Sequence, residues 1–241
     1  MKYSFDMHIH SSLSPCASDD MTPNNIVNMA YIKKLNIISI TDHNSMINVS
    51  SAEKIAYKRG ILLIPGMEVN TKEEVHILCY FRNIEEGLEF GKLIYDSIPD
   101  IKNAEKFFGQ QLALDEEDSV IYREEKLLTS ASSYSIDEID KLVKKYNGII
   151  VPAHIDRKSY SILSVLGFIP KNLDISTVEI SSECNEEMIE KMNIKGIYNI
   201  ITNSDAHDLW QINEAENFME LSSLNLNEVF RYLRNEEKRI K

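Results

Sequence analysis

The alternation of short apolar runs with helical patterns is the feature of this sequence that most constrains its fold. Strands that alternate with helices usually pair in parallel, because each helix carries the chain back across the sheet. Seven such units predict an α/β fold with a closed or nearly closed barrel. The segments with the length and composition of strands span residues 3–10, 36–43, 61–69, 74–81, 148–155, 176–182 and 199–207.

Three helices are predicted from capping residues or from an amphipathic pattern. Thr22 followed by Pro23 is typical of an N-cap and first helical position, and predicts a helix to about Leu35. Ser135 and Glu138 form a capping-box pattern at the start of another. A closing amphipathic helix is predicted from four apolar residues ahead of the solvated charges of RNEEKRIK at 234–241, namely Leu226, Val229, Phe230 and Leu233.

One polar stretch, residues 97–133, interrupts the alternation with the runs DEED, REE and SASS. Loops of this length are uncommon in compact domains unless they are functional or disordered. We therefore expect an insertion between strands four and five that covers a site as a lid, with a solvated surface insertion as the alternative. No linker divides the sequence, so a single domain over residues 1–241 is predicted.

Composition limits the classes of function. The formal net charge of -12 argues against attraction to phosphate backbones, so a long nucleic-acid duplex is not an expected partner. The first ten residues contain no long apolar run, and we expect neither a signal peptide nor a membrane span there. Cys16, Cys79 and Cys184 are widely separated, as free thiols in a reducing compartment would be, which predicts a cytoplasmic protein.

The opening segment DMHIH places two histidines two residues apart. Alternate side chains of an extended strand share a face, so His8 and His10 lie together with Asp6. Two imidazoles on one face can bind one metal ion, and Asp6 can accept a hydrogen bond from a ligating imidazole. An edge strand with two half-exposed histidines is the alternative for this motif taken alone.

The distribution of the remaining histidines argues for a site. Catalytic groups in barrels of alternating strands and helices come from the carboxyl ends of the strands. Five of the six histidines follow or end predicted strands, whereas His76 opens its strand. A short hairpin after Glu68 would bring Glu68 and His76 to the same end of the sheet. The six are His8, His10, His43, His76, His154 and His207.

Carboxylates accompany these histidines. Glu68 ends the third strand, Asp205 precedes His207, and Asp19 and Asp20 follow the first histidine pair. Imidazole and carboxylate without clustered thiolates suit zinc, manganese or iron. The donors exceed the need of one ion, so we expect two or three divalent ions that share a bridging carboxylate.

An ordered set of motifs resembles the PHP phosphoesterases, the polymerase and histidinol phosphatase family. DMHIHSS, TDHNS, PGMEV, EVHILCY, VPAHIDR and TNSDAH fall in the family's order over nearly the whole chain. The resemblance implies a distorted seven-stranded (β/α) barrel, similar to a TIM barrel, with a trinuclear metal centre at the carboxyl face of its strands.

The resemblance also implies how the donors divide. The first ion would be held by His8, His10, Glu68 and Asp205. Glu68 would bridge to a second ion at His76 and His154. A third would take His43, His207 and one ligand from SPCASDD, where Cys16, Asp19 and Asp20 are the candidates and Asp20 is favoured.

Clustered divalent ions activate water and polarise phosphoryl oxygens, so we expect hydrolysis of a phosphate monoester or nucleotide-type ester by a metal-bridging hydroxide. Glu68, Asp205, His207 and Arg157 are the predicted catalytic residues, and Arg157 with Lys158 would bind substrate phosphate. The expected partner is a small phosphorylated molecule or nucleotide. A metal-binding scaffold without turnover and an amidohydrolase are the alternatives, although no predicted strand ends in the lysine that an amidohydrolase would need.

Overall fold

The computed structural model describes residues 1–236, so residues 237–241 of the predicted charged terminus lie outside the described part. The strands are β1 Lys2–Ile9, β2 Ile37–Ile40, β3 Leu62–Leu63, β4 Gly66–Asn70, β5 His76–Tyr80, β6 Leu112–Leu114, β7 Val120–Arg123, β8 Ile149–Pro152, β9 Thr177–Ile180, β10 Asn199–Thr202 and β11 Phe218–Glu220. The α-helices are α1 Pro23–Ile32, α2 Val49–Arg59, α3 Ile84–Ser97, α4 Glu105–Phe108, α5 Ile136–Lys145, α6 Ile162–Leu166, α7 Glu186–Met192 and α8 Leu226–Leu233. None of the helices formed by residues 1–236 has the length and hydrophobicity of a transmembrane span.

The strands form four hydrogen-bonded sheets. One has the order β11-β1-β2-β3, another pairs β10 with β9, a third has the order β4-β5-β8, and β6 pairs with β7. The predicted mixed α/β class is confirmed. The seven strands do not form one continuous sheet in the described residues, and the barrel stays a prediction.

The predicted strand 61–69 is divided into β3 and β4 at Pro65. Proline has no N–H to donate, so a ladder cannot run through it unbroken. β4 and β5 are antiparallel, with Asn70 opposite His76, and form the hairpin expected between Glu68 and His76. The turn between these strands therefore brings the start of β5 to the same end of the sheet as the end of β4.

Single bridges connect the sheets where the strands end. Ile9 bridges to Ala206, and His43 bridges to Glu68. The carboxyl ends of β1, β2, β4 and the segment after β10 therefore meet at one end of the molecule.

The predicted helices are present with their expected starts. Thr22 caps α1 by accepting from the Asn25 backbone N–H, and Ser135 and Glu138 form the capping box of α5. α1 ends three residues before the predicted Leu35 because Lys34 adopts a left-handed conformation with φ of 59°.

The insertion is ordered and packs against the loop after β1. Leu13 of that loop is buried with Ile98, Ala113 and Leu128 in a small apolar cluster. The Leu112 backbone N–H donates to the Ser12 carbonyl at 2.8 Å. These contacts fix the insertion beside the metal-ligand candidates of the loop, whereas its role as a lid stays a prediction.

We expect Gly109→Ala to destabilise the protein by at least about 2 kcal/mol. Gly109 has a φ of 96°, and a Cβ there would overlap the Pro15 carbonyl oxygen. Gly167→Ala is the matched control, because Gly167 also has a positive φ of 79° but nothing within 4 Å of its Cβ position. The control should lose only about 1–2 kcal/mol in urea unfolding. An equal loss in both variants would contradict a close contact between the insertion and the loop.

Candidate metal centre

All six histidines converge with two carboxylates at the end of the molecule where the sheets meet. All of these residues except His8 line a cavity of about 290 Å³. Sequence-predicted residues that line it are His10, His43, Glu68, His76, His154, Arg157, Asp205 and His207. His8 lies behind this surface and is fully buried.

Glu68 is the centre of the arrangement and is 1% exposed. Its Oε1 lies 3.3 Å from His8 Nε2, 3.0 Å from His76 Nδ1 and 3.4 Å from His154 Nε2. Its Oε2 lies 3.4 Å from His10 Nε2 and 3.1 Å from His43 Nδ1. Neither oxygen has a partner in hydrogen-bonding geometry. A buried carboxylate that faces five ring nitrogens without a hydrogen bond fits a cation between them.

The His8 and His10 imidazoles turn their Nε2 atoms towards each other at 3.2 Å. Both Nε2 atoms lie 3.1 Å from Asp205 Oδ1. Each Nδ1 has a partner outside the cavity, Glu179 for His8 and Ser14 for His10. When Nδ1 carries the proton, the Nε2 lone pairs point at one position, which is the tautomer that metal ligation requires.

Glu179 is a functional residue that the sequence reasoning missed. Its two oxygens lie 3.0 and 3.1 Å from His8 Nδ1, and they also accept from the His154 backbone N–H at 3.1 Å and Asn203 Nδ2 at 2.7 Å. The available signal was a single glutamate inside the apolar run of β9, where a charged residue is rarely buried without a partner.

The His10 imidazole is held by a second relay. Its Nδ1 lies 3.0 Å from Ser14 Oγ, which donates to Asp42 Oδ1 at 2.7 Å. Ser11 Oγ donates to the other Asp42 oxygen at 2.6 Å. Burial raises the pKa of Asp42 despite these donors. The relay fixes the orientation of the His10 ring.

Asp6 has a different role from the predicted one. It accepts backbone N–H groups from Ser204 at 3.0 Å and Asn213 at 2.9 Å, and no imidazole. Burial raises its pKa to about 6. Asp6 therefore anchors the segment that carries Asp205.

Electrostatics hold several donors in the state that binds cations. Burial opposes ionisation of Glu68, but His76 and His8 hold its pKa well below the usual range. Burial, with the charge of His10 nearby, lowers the pKa of His43 well below its usual value and that of His207 to about 4. Neutral His43 and His207 beside an ionised Glu68 are therefore ready to bind a cation. Burial opposes protonation of His8, but the charges of Glu179 and Asp205 raise its pKa well above the usual value, so His8 releases a proton when it binds a cation.

The backbone is strained at two of the site residues. His154 has a φ of 31° and lies two residues after β8, and Asp205 has a φ of 52° and lies three residues after β10. A positive φ is costly for residues other than glycine and is found mainly where a structure needs a particular side-chain direction. Here it turns both side chains into the cavity.

Two predicted residues lie outside the cluster. Asp20 is exposed, and its backbone carbonyl accepts from Asn25 Nδ2 at 2.9 Å. Lys158 is exposed and does not line the cavity, whereas Arg157 lines it and bonds to Asp205 through Nη1. Cys16, the alternative to Asp20, is the residue of this loop that reaches the imidazoles. The loop turns after Pro15, and this geometry was not readable from spacing.

Three overlapping groups of donors have ligand atoms within 4.8 Å of one another. The groups are His8, His10 and Glu68; His43, Glu68 and His76; and His10, Cys16, His43 and His207. The first contains three of the four residues that the resemblance implies for one ion, and the fourth, Asp205, has its Oδ1 3.1 Å from both the His8 and the His10 Nε2. The second contains His43 where His154 was expected, although His154 Nε2 is 3.4 Å from Glu68.

An α/β fold whose strand ends gather imidazoles around buried carboxylates defines a protein equipped to bind divalent metal ions. The chain belongs to the PHP domain family, whose family model matches residues 6–236. The sequence-based recognition of this family is confirmed. Family membership supports the expected hydrolase acting on phosphate ester bonds.

Individual relatives cover the chain to different extents. A 5'-3' exoribonuclease of Haemophilus influenzae is 33% identical over 96 residues, which are 38% of this chain and 31% of that protein. The lesion-specific endonuclease Q of Pyrococcus furiosus has a similar fold, with a TM-score of 0.71 and 20% identity over 98% of this chain and 56% of that one. An amidohydrolase from Chromobacterium violaceum, solved with bound sulfate, has a TM-score of 0.59 and 16% identity over 96% of both chains. The chain thus spans about a third of the curated relative and just over half of the endonuclease.

The prediction that excluded duplex nucleic acid is contradicted. Endonuclease Q was also solved with a 27-mer duplex that has an abasic lesion at the active site. That structure has a TM-score of 0.68 and 19% sequence identity to this protein, and the match covers 98% of this chain and 57% of that one. The net charge of -12 was a poor guide because it sums the whole chain. Association with phosphate depends on the local electrostatic potential at the site. Bound cations would change the sign of that potential from negative to positive.

Proposed function

We propose that the protein is a metal-dependent phosphoesterase that cleaves a phosphoester bond of nucleic acid. The observation that carries this proposal is Glu68, whose buried oxygens face five imidazole nitrogens without a hydrogen bond. Membership of the PHP family supports the reaction class.

Two to three divalent ions, zinc, manganese or iron, would occupy the overlapping donor groups. Glu68 belongs to two groups, and His10 and His43 belong to two each, which supports ions held close together. Such ions lower the pKa of a bound water and polarise a phosphoryl oxygen. We further propose that the seven strands that carry these donors form the distorted barrel predicted from the sequence.

The residues of the rim would position the substrate. Arg157, whose side chain is 44% exposed, can turn its free donors towards a phosphate while Asp205 fixes one side of its guanidinium. The His207 Nδ1 bonds to the Asp205 carbonyl at 2.8 Å, so its Nε2 is available to the cavity. Lys158 is no longer favoured for substrate binding because it does not line the cavity.

A nucleic-acid substrate is supported by the rim and by the relatives. Tyr160 lines the cavity, is 46% exposed, and stacks on His76 with ring centroids 4.7 Å apart and an interplanar angle of 18°. An exposed aromatic face beside a phosphate site can stack on a base. The names of the exoribonuclease and the endonuclease point to the same substrate class.

The proposal is tested with metal-stripped protein reloaded with manganese or zinc. The substrates are end-labelled single-stranded RNA, single-stranded DNA, duplex DNA with an abasic site, and a nucleoside monophosphate. Metal-dependent cleavage of a polynucleotide supports the proposal, and cleavage of the monophosphate alone would place the substrate among small esters. If the metal-loaded wild type cleaves none of these substrates and its activity is therefore the same as that of a Glu68→Gln variant, the chain is a metal-binding scaffold.

We expect Arg157→Ala to reduce kcat/KM for the cleaved substrate roughly 10- to 150-fold, since a charged hydrogen bond contributes about 1.5–3 kcal/mol. The loss follows from the missing contact between the guanidinium and the phosphate. Lys158→Ala is the matched control, because Lys158 is adjacent, basic and outside the cavity lining. Steady-state kinetics of both variants check the prediction. Equal activity of Arg157→Ala and wild type would remove Arg157 from the site.

An amidohydrolase remains the second candidate because a solved amidohydrolase has a similar fold. No lysine is among the cavity-lining residues of the described chain, so the bridging lysine expected for that class has no candidate. Hydrolysis of an amide substrate panel in place of phosphoesters would favour it.

A further inference from the structure

The third donor group contains a sulfur atom. Cys16 Sγ lies within 4.8 Å of ring nitrogens of His10, His43 and His207. His43 is 5% exposed, and its Nδ1 faces Glu68 Oε2 at 3.1 Å without a hydrogen bond. Three imidazoles and one thiol make a set of four donors, which is the number a tetrahedral zinc site uses.

The loop that carries Cys16 is fixed at both ends to this group. The Ser18 backbone N–H donates to the His207 carbonyl at 2.9 Å. Ser14 contacts His10 Nδ1 at 3.0 Å, and the Ala17 backbone N–H closes a turn on the Ser14 carbonyl at 2.9 Å. Cys16 therefore sits between two anchored residues, and its direction is set by the fold.

The aspartates of the same loop are engaged elsewhere. Asp19 Oδ2 accepts from Gln110 Nε2 of the insertion at 2.7 Å, and Asp20 is exposed. Neither belongs to a donor group in the described chain. The thiol is thus the one candidate of this segment that the fold brings to the imidazoles.

We propose that the thiolate of Cys16 is a metal ligand that completes the third donor group with His10, His43 and His207. The inference rests on the metal centre of the proposed function but not on its reaction. On binding, the thiol loses its proton to solvent and sulfur donates its lone pair to the cation. Thiolate favours zinc, cobalt and iron over manganese, so this position discriminates among metals where all-nitrogen-and-oxygen groups would not.

Cys16 is exposed to solvent and can be modified chemically. In metal-free protein, desolvation and the nearby carboxylates of Glu68 and Asp205 raise the pKa of the Cys16 thiol to about 12, so alkylation is carried out at alkaline pH. The thiol loses its proton to solvent, the sulfur forms a bond to carbon as the reagent's leaving group departs, and the ligand is removed. Zinc bound through the sulfur protects it. The site would therefore be lost on alkylation of one residue without disturbance of Glu68.

Cobalt(II) added to metal-free protein tests the proposal, because a cobalt–thiolate bond gives a near-ultraviolet charge-transfer band that imidazole and carboxylate ligands do not give. Wild type and the control Cys184→Ser should show the band, and Cys16→Ser should lose it while its circular dichroism remains that of wild type. Bound cobalt is measured separately by elemental analysis.

The outcomes separate the two proposals. Cobalt bound to wild type without the band, or with a band that Cys16→Ser retains, overturns the role of Cys16 and leaves the metal centre intact. Failure to bind any cobalt overturns both. A parallel alkylation experiment should show that zinc slows modification of Cys16 and leaves Cys184 unchanged; equal rates with and without zinc would contradict the proposal.

Discussion

Replacement of Glu68 by Gln is expected to reduce phosphoesterase activity by at least about 10³-fold, since polarisation by metal ions contributes several kcal/mol to such reactions. Gln keeps the shape of the side chain but removes the charge that faces five ring nitrogens. Its amide would also direct N–H donors at positions where a cation needs lone pairs. Metal content per chain should fall together with activity.

The measurement combines elemental analysis of the purified variant with kinetics at several metal concentrations. Glu89→Gln is the control, because Glu89 is an exposed glutamate of α3. Wild-type metal content and rate in Glu68→Gln would contradict the central position of Glu68 in the site.

The second large effect is expected for Glu179→Gln, which should weaken metal binding about 10- to 100-fold. The carboxylate of Glu179 accepts hydrogen bonds from His8 Nδ1, the His154 backbone N–H and Asn203 Nδ2. A neutral amide can accept fewer of these hydrogen bonds and loses the charge that orients His8. Excess metal should restore much of the activity, which a lost ligand would not allow.

Titration of metal-free protein with zinc checks this prediction. Glu183→Gln is the matched control, since Glu183 lies in the same segment but is exposed. A zinc affinity of Glu179→Gln equal to that of the control would show that Glu179 does not orient His8. A variant that binds no metal at any concentration would instead make Glu179 a ligand.

Much of the site could be predicted from the sequence because its donors occupy strand ends. His43 lies three residues after β2 and His154 two residues after β8, so the end of each strand limits where these side chains can be placed. The hairpin between Glu68 and His76 could also be predicted, because few residues separate these two positions in the sequence.

The residues that sequence reasoning missed or misplaced depend on contacts between distant segments. Cys16 and Asp20 lie four positions apart in one loop, and only the anchoring of that loop to His207 decides which of them faces the imidazoles. Glu179 is an ordinary member of an apolar strand until His8 is placed 171 positions away in the sequence. The division of the strands into four sheets depends on interruptions such as Pro65, which apolar runs do not reveal.

The pairing of the first strand with the last site segment affects how the protein matures. The His10 backbone N–H donates to the Ala206 carbonyl at 2.9 Å, and Ile9 bridges to Ala206. During synthesis, residue 10 leaves the ribosome long before residue 206, and contacts of such high sequence separation form late in folding. We expect the nascent chain to be unable to bring Asp205 and His207 to the His8–His10 pair until residue 207 has been made, so a cation that needs donors from both segments can be bound only after that point.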